Sequence, residues 1–237
     1  IKIKLSIFKT FLPKMIFFNY IYYHFNLFFK KINSRKNFYS YSGIDLLVSN
    51  IFKNNKKGFY VDVGAQHPIK NNNTYLLFKK GWEGINIDLD KKNIELFKID
   101  RKRDSNINEA VYSSKVKKKL YYYHDGSPIN TMSLKVASYQ KAKIKEIRNI
   151  QTTTLDMLIA KTRFKNRQID FLTIDVEGLE LDVLHGLSLK KYKPKIVVVE
   201  YLDLTAKKLE LINLDIKKIL SSKVYKFMIK NNYTMIN

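Results

Sequence analysis

From residue 58 onward, short apolar runs alternate along the chain with stretches of helical spacing. Apolar runs bounded by turn-forming residues predict buried strands. A strand, a helix and a further strand form a βαβ unit, whose two strands lie parallel in one sheet. The predicted strands are 59–63, 84–88, 105–112, 118–124, 170–175, a central strand at 195–200 and a last extended piece at 233–236; the predicted helices are 74–80, 94–101, one opening at Thr154, 179–186 and 206–221. The pattern therefore predicts an α/β fold with a mostly parallel sheet.

The first 57 residues have a different pattern. The run Met15–Phe29 carries no charge and is rich in aromatic residues, but it is shorter than the roughly 20 apolar residues of a membrane span, and no small-residue cleavage site follows it. We predict a basic, aromatic, helical extension over 1–57 and the main domain over 58–237. Two interpretations stay open: the aromatic residues pack on the domain, or residues 1–30 lie peripherally on an anionic membrane. A true membrane anchor is the third alternative.

Composition limits the possible functions. The 237 residues include 44 Lys and Arg against 21 Asp and Glu, a net charge of +23. A basic surplus suggests nucleic acid or an anionic membrane as partner, but 38 of the 44 bases are Lys, whereas Arg suits phosphate better. Codon bias explains such a surplus, and no nucleic-acid partner is predicted. The absence of Cys excludes disulfides and thiolate chemistry and fits a reducing compartment, so we expect a cytoplasmic protein, with association to the inner face of a membrane left open.

Carboxylates and a glycine stand at the ends of the first two predicted strands. Asp62 and Gly64 close the first, and Asp88 closes the second. An open α/β sheet binds its ligand at these ends. A glycine there lets backbone amides approach the ligand, and a carboxylate 24 residues later can accept hydrogen bonds from ribose hydroxyls. Because the full G-x-G-x-x-G is absent, the pattern favours a nucleoside ligand without a pyrophosphate.

Seven segments, in order and spacing, resemble the FkbM-type S-adenosylmethionine-dependent methyltransferases. They are FYVDVGAQHP, NNTYLLFKKGWEGINID, INEAVYSS, INTMS, TTTLDMLI, IDFLTIDVEGLELDVLHG and PKIVVVE. The resemblance covers about residues 58–233 and implies a Rossmann-like class I methyltransferase with a doubly wound, mostly parallel sheet. It also implies transfer of a methyl group to an oxygen of a sugar or other natural product. Since the chain stops just after the last predicted strand, we expect the C-terminal hairpin of such sheets to be incomplete.

By position, the resemblance assigns cofactor contacts to five residues. Asp62, Gly64 and Ala65 would hold the methionine end of S-adenosylmethionine, Asp88 the ribose, and Glu109 the adenine. The expected acceptor is a small molecule or glycan. A nucleic-acid methyltransferase and a non-catalytic, membrane-associated relic of the fold are the alternatives.

Four residues are candidates for the catalytic base or for a ligand of the acceptor hydroxyl: Asp175, Glu177, His67 and Glu200. Methyl transfer to oxygen requires removal of the hydroxyl proton. His67 could instead be a hydrogen-bonding loop residue, and Asp175 and Glu177 could be charges at a helix N-terminus. Carboxylates of this kind suit Mg²⁺, but the sequence does not bring three of them to one ion, so a divalent cation is allowed and not predicted.

Overall fold

A computed structural model describes residues 16–29, 38–202 and 216–236. The chain divides into two compact units, residues 1–37 and 38–237. Helix α1 (Ile16–Phe29) lies in the first unit, and helix α2 (Ile44–Ile51) in the second. The part of the predicted extension from residue 38 onward therefore lies in the larger unit. Of the described helices, none combines the length and the apolar character that crossing a membrane requires.

The described residues of the larger unit form a five-stranded parallel sheet and a three-stranded sheet. In chain order the strands are β1 (Phe59–Val63), β2 (Glu83–Asp88), β3 (Ser105–Asn108), β4 (Ala110–Val111), β5 (Lys117–Tyr122), β6 (Glu146–Thr153), β7 (Phe171–Ile174) and β8 (Ile196–Val199). The parallel sheet has the order β3-β2-β1-β7-β8. The predicted α/β fold with a parallel sheet is confirmed.

The smaller sheet, with the order β4-β6-β5, corrects two predictions. The predicted strand 105–112 is two strands, because β3 pairs with β2 whereas β4 pairs with β6. The prediction missed β6, which runs antiparallel to β5 with Leu120 opposite Arg148. Most β6 side chains before Thr152 are exposed or half-buried, so this strand lacks the apolar run that reveals the strands of the main sheet.

Helices follow most strands and cover the sheet. The remaining helices are α3 (Tyr75–Lys79), α4 (Lys91–Asp100), α5 (Leu134–Tyr139), α6 (Leu155–Ala160), α7 (Glu180–His185), α8 (Leu189–Tyr192), α9 (Ile216–Ser221) and α10 (Lys223–Lys230). Thr154 caps α6 as predicted, because its Oγ1 accepts the backbone N–H of Met157 at 3.2 Å.

The C-terminal part differs from prediction. Residues 206–215 of the predicted helix lie outside the described residues, and 216–221 form α9. The piece at 233–236, which the structure describes, forms no strand. Strand β8 is an edge strand among the described strands, with half-buried side chains, rather than the central strand expected.

Alternating residues of β1 divide the core between the two faces of the sheet. Phe59, Val61 and Val63 pack in one cluster with α6, α7 and α8, while Tyr60 packs on the other face with Trp82 and the α2 residue Val48. A strand covered on both faces is largely apolar, and in β1 only Asp62 departs from this. Because β1 pairs parallel with both β2 and β7, the carboxyl ends of the three strands lie side by side at one edge of the sheet.

Candidate active site

A glycine turn joins the ends of β1, β2 and β7. Gly64 has φ +79°, and its N–H donates to the carbonyl oxygen of Ile87 at 2.9 Å. A Cβ atom at position 64 would lie only 1.7 Å from the carbonyl oxygen of Asp175. Glycine is required here, because any other residue would be strained at this positive φ and its Cβ atom would collide with the Asp175 carbonyl oxygen. The turn thereby brings the end of β1 against the end of β7.

A cavity opens beside this turn, between the ends of the three strands and the loop 125–133. The polar and loop residues that line it are Gly64, Gln66, Asp88, Asp90, Asn93, Glu109, Ser127, Pro128, Asn130, Met132, Asp175 and Glu177. The structure therefore brings together five of the sequence-predicted site residues, namely Gly64, Asp88, Glu109, Asp175 and Glu177. Asp62, Ala65, His67 and Glu200 are not among the residues lining it.

Asp88 is held at the cavity by two backbone amides. Its Oδ2 accepts the N–H of Gln66 at 2.8 Å, and its Oδ1 accepts the N–H of Asp90 at 2.7 Å. Burial raises the pKa of Asp88 to about 6, against these hydrogen bonds. Each carboxylate oxygen can accept more than one hydrogen bond. Asp88 is thus fixed in place and retains acceptor capacity for a ligand.

Asp90, which sequence reasoning missed, connects the cavity loop to helix α4. Its Oδ1 accepts the N–H of Lys92 at 2.9 Å and caps the helix, while its Oδ2 accepts the N–H of Gly126 at 2.6 Å. The side chain of Asn130 also reaches Asp90 Oδ2, at 3.4 Å. An Asp just before a helical stretch is a recognisable N-cap signal, but nothing local indicates the loop 36 residues away.

Asp62 lies behind the turn in a buried polar network. Its Oδ2 accepts the hydroxyl of Thr74 at 2.9 Å and the side-chain amide of Asn72 at 3.1 Å. The buried Arg101 guanidinium donates to Asn72 Oδ1 at 2.7 Å and, through Nε, to the carbonyl of Pro68 at 3.0 Å. Burial raises the pKa of Asp62 to about 6. Rather than facing the cavity, Asp62 orders the loop that follows the glycine turn.

His67 is a hydrogen-bonding residue of that loop. Its Nδ1 accepts the backbone N–H groups of Ile69 and Lys70 at 3.1 and 3.0 Å. Burial lowers its pKa to about 4, so the ring is neutral and keeps these two bonds across the physiological range. The geometry agrees with the alternative that His67 is a hydrogen-bonding loop residue. His67 is not among the residues that line the cavity.

Three carboxyl groups meet at the ends of β7 and β8. One oxygen each from Asp175, Glu177 and Glu200 lies within 4.8 Å of the other two. Asp175 and Glu200 share a hydrogen bond. Burial and the neighbouring carboxylates raise the pKa of Glu177 to about 8 and that of Glu200 to about 10. Glu200 therefore keeps its proton at neutral pH and donates it to Asp175. The three oxygens could also coordinate a hard divalent cation.

The turn after β7 is held from two sides. Glu177 has φ +58°, an unusual conformation for a residue other than glycine, and the Thr131 hydroxyl donates to its carbonyl oxygen at 2.8 Å. Glu180 Oε1 accepts the N–H groups of Val176 and Gly178 at 3.2 and 2.8 Å. Because Glu180 satisfies these amides before α7, the side chains of Asp175 and Glu177 are left to face the cavity.

The family model of the FkbM methyltransferase domain matches residues 62–227, which include most of this architecture and the whole of this cavity. The chain belongs to the FkbM methyltransferase family. No curated protein and no solved structure matches it. The predicted membership is confirmed, and the reaction class is methyl transfer. In this FkbM domain, the cavity at the ends of β1, β2 and β7 is lined by the amide-held Asp88 and by two of the three clustered carboxyl groups, those of Asp175 and Glu177.

Proposed function

We propose that the protein is an S-adenosylmethionine-dependent O-methyltransferase that acts on a hydroxyl of a sugar, a glycan or another small natural product. One observation carries the proposal beyond the family: a single cavity holds a hydroxyl-accepting carboxylate, Asp88, and an acid cluster that can take up a proton, around Asp175. The two groups match the two needs of such a reaction, which are to hold a nucleoside cofactor and to deprotonate an alcohol.

The residues present fit S-adenosylmethionine. Asp88 offers carboxylate oxygens of the kind that accept ribose hydroxyls. Gly64 keeps the turn free of a side chain, so that a ligand can approach the backbone. Glu109, exposed in the cavity wall after β3, would meet the adenine. The carboxylate of Asp175 supplies negative charge that would favour a sulfonium, while Glu177, with a pKa of about 8, would offer a mostly protonated carboxyl group.

When bound, S-adenosylmethionine supplies a methyl group that its sulfonium makes electrophilic. Asp175 would accept the proton of the acceptor hydroxyl while the methyl group passes from sulfur to that oxygen, which would leave the sulfonium as a neutral thioether. Asp175 would then release the proton to water. Glu200, which stays protonated, would hold the Asp175 carboxylate in position through their hydrogen bond. Alignment of the acceptor against the cofactor would supply the remaining rate enhancement.

The charge of the cavity favours a neutral acceptor over nucleic acid. Although the chain carries +23, four acidic residues line the cavity beside the mostly protonated Glu177, namely Asp88, Asp90, Glu109 and Asp175. Such a site would repel a phosphate backbone brought to the reaction centre. A sugar hydroxyl has no such penalty and can donate a hydrogen bond to a carboxylate.

Calorimetric titration with S-adenosylmethionine tests the proposal. The wild-type protein should bind, and Asp88→Asn should weaken binding by about 10- to 100-fold, because a hydrogen bond to a charged group contributes about 1.5–3 kcal/mol. Asp45→Asn is the matched control, since Asp45 is equally buried and accepts backbone N–H groups from Tyr39 and Leu46. Absence of binding by the wild type, or equal affinity of the Asp88 variant, would contradict the proposal. Mass spectrometry of sugars and glycans incubated with the cofactor then identifies the acceptor.

A further inference from the structure

Helix α1 exposes an apolar face to solvent. Ile21, Phe25 and Phe28 are 48%, 44% and 78% exposed. Their spacing of four and three residues places them on one side of the helix. Tyr23 and Leu27 are buried and occupy the opposite side. The helix thus differs from a usual amphipathic helix, whose exposed face is polar.

Basic residues stand on both sides of this helix in the sequence. Residues 1–37 contain eight Lys and Arg and no Asp or Glu, and none of the eight falls between Met15 and Phe29. Four precede the helix and four follow it: Lys2, Lys4, Lys9, Lys14, Lys30, Lys31, Arg35 and Lys36. The remaining 200 residues carry all the acidic residues of the chain. An exposed apolar face with bases at both ends has the chemistry of an anionic bilayer surface, with headgroup charge above and acyl chains below.

We propose that residues 1–37 dock the protein on an anionic membrane, with the apolar face formed by Ile21, Phe25 and Phe28 inserted at the level of the headgroups. The flanking bases would contact the anionic lipids. Tyr20 and Tyr22, also exposed, are of the residue type that favours the membrane interface. A nucleic acid would contact the basic residues but not the apolar face. A groove on a partner protein would bind the apolar face but would not require basic flanks that contain no acidic residue. The membrane uses both.

Flotation of the full chain with lipid vesicles tests this docking. The wild type should float with vesicles of phosphatidylcholine mixed with phosphatidylglycerol, remain behind with phosphatidylcholine alone, and be released by salt. The triple change Ile21→Gln, Phe25→Gln and Phe28→Gln should abolish flotation. The matched control changes three equally exposed apolar residues of the larger unit to Gln, namely Leu134, Tyr139 and Ile147, and should float as the wild type does.

A second pair of variants distinguishes the effect of the bases that flank α1 from the effect of net charge on membrane binding. Changing Lys9, Lys14, Lys30 and Lys31 to Gln should weaken binding by on the order of a thousandfold, because each base near an anionic surface contributes about 1 kcal/mol. Changing four exposed lysines of the larger unit, Lys117, Lys119, Lys161 and Lys165, removes the same charge and should leave binding within a few-fold of wild type.

Three results would overturn the docking proposal: no flotation of the wild type with the mixed vesicles, wild-type flotation of the apolar triple variant, or equal losses in the two lysine variants. Thermal melting of each variant shows whether it folds. Binding of S-adenosylmethionine, measured in parallel, reports on the proposed methyltransferase function separately, because no residue changed here lines the cavity.

Discussion

The two sides of the cavity hold their carboxyl groups in different ways. On the amide-anchored side, Asp88 and Asp90 each accept two or more hydrogen bonds, mainly from backbone N–H groups. On the carboxyl-paired side, Asp175, Glu177 and Glu200 face one another. Burial is the largest cause on both sides. Neighbouring carboxylates come next for Glu177 and Glu200, whereas Asp90 raises the pKa of Asp88 by less than its hydrogen bonds lower it.

Because of this difference, one side of the cavity is suited to holding a ligand and the other to transferring a proton. Backbone amides stabilise the charged form of a carboxyl group and fix its position, so Asp88, with a pKa of about 6, is mostly ionised at neutral pH. Carboxyl groups that face one another compete for ionisation, so at least one proton stays among them. The amide-anchored side is suited to orient a ligand, and the carboxyl-paired side can take up a proton without rearranging.

The strongest way to break the carboxyl-paired side is Asp175→Asn. The amide cannot accept the hydroxyl proton, so we expect kcat to fall by about 10²- to 10⁴-fold, the usual contribution of a general base. The affinity for S-adenosylmethionine should change much less. Steady-state rates with the acceptor found by mass spectrometry measure the effect. Asp182→Asn, on the partly exposed side of α7, is the control, and a kcat within threefold of wild type for both variants would exclude Asp175 as the base.

Gly64→Ala tests the junction between the two sides. The added Cβ would collide with the carbonyl oxygen of Asp175 in a left-handed backbone conformation, and we expect a loss of about 3 kcal/mol or more in the free energy of unfolding. Gly43→Ala has nearly the same φ, +78°, with no atom within 4 Å of its Cβ. It should lose only about 1 kcal/mol. Urea denaturation measures both, and equal losses would show that strain, not the close approach, determines the cost at position 64.

The sequence predicted the parts of the site that depend on one strand and its turn. The buried runs of β1, β2 and β7 were found because each is a short, largely apolar run bounded by turn-forming residues, and Gly64 and Asp88 follow from their positions at strand ends. The same logic did not predict the buried polar network around Asp62. Side chains alternate along a strand, so Asp62 shares a face with Tyr60, where Arg101 donates to the Tyr60 hydroxyl at 2.9 Å.

The parts that depend on several segments were not predictable. Asp175 and Glu200 meet because β7 and β8 lie side by side in register, with Ile174 opposite Val199, and the sequence alone does not supply that pairing. Asp90 holds the loop 125–133, which follows β5, a strand of the smaller sheet. Strand β6 has the partly exposed, mixed pattern of a strand outside the main core. In each case the information lies in a long-range contact, whereas hydrophobic periodicity reports only local burial.

On the amide-anchored side, Asp90→Ala should loosen the cavity loop. It removes the cap of α4, which costs about 1 kcal/mol, and also the hydrogen bond to Gly126, so we expect a several-fold weaker affinity for S-adenosylmethionine. Thr154→Ala removes a comparable cap from α6, whose residues do not line the cavity. Denaturation and calorimetry together distinguish the two variants. A similar loss of stability with unchanged affinity in both would limit Asp90 to capping.

The smallest expected effect concerns the pH dependence of the carboxyl-paired side. The pKa of Glu177 rises from an ordinary 4.5 to about 8 in the folded protein. Between these values the unfolded chain loses a proton that the folded protein keeps, so the free energy of unfolding falls as pH rises. Glu177→Gln abolishes this contribution, and the variant should gain stability relative to wild type from pH 4.5 to 8, by about 1 kcal/mol after solvent screening.

Urea denaturation at a series of pH values measures this relative gain. The control Glu146→Gln alters an exposed residue of β6, and its stability difference from wild type should not grow over the same range. A constant difference between Glu177→Gln and wild type would mean that Glu177 is ionised in the folded protein. The proton of the carboxyl-paired side would then be shared by Asp175 and Glu200 alone. The hydroxyl of the methyl acceptor would face the carboxylate of Glu177 as well.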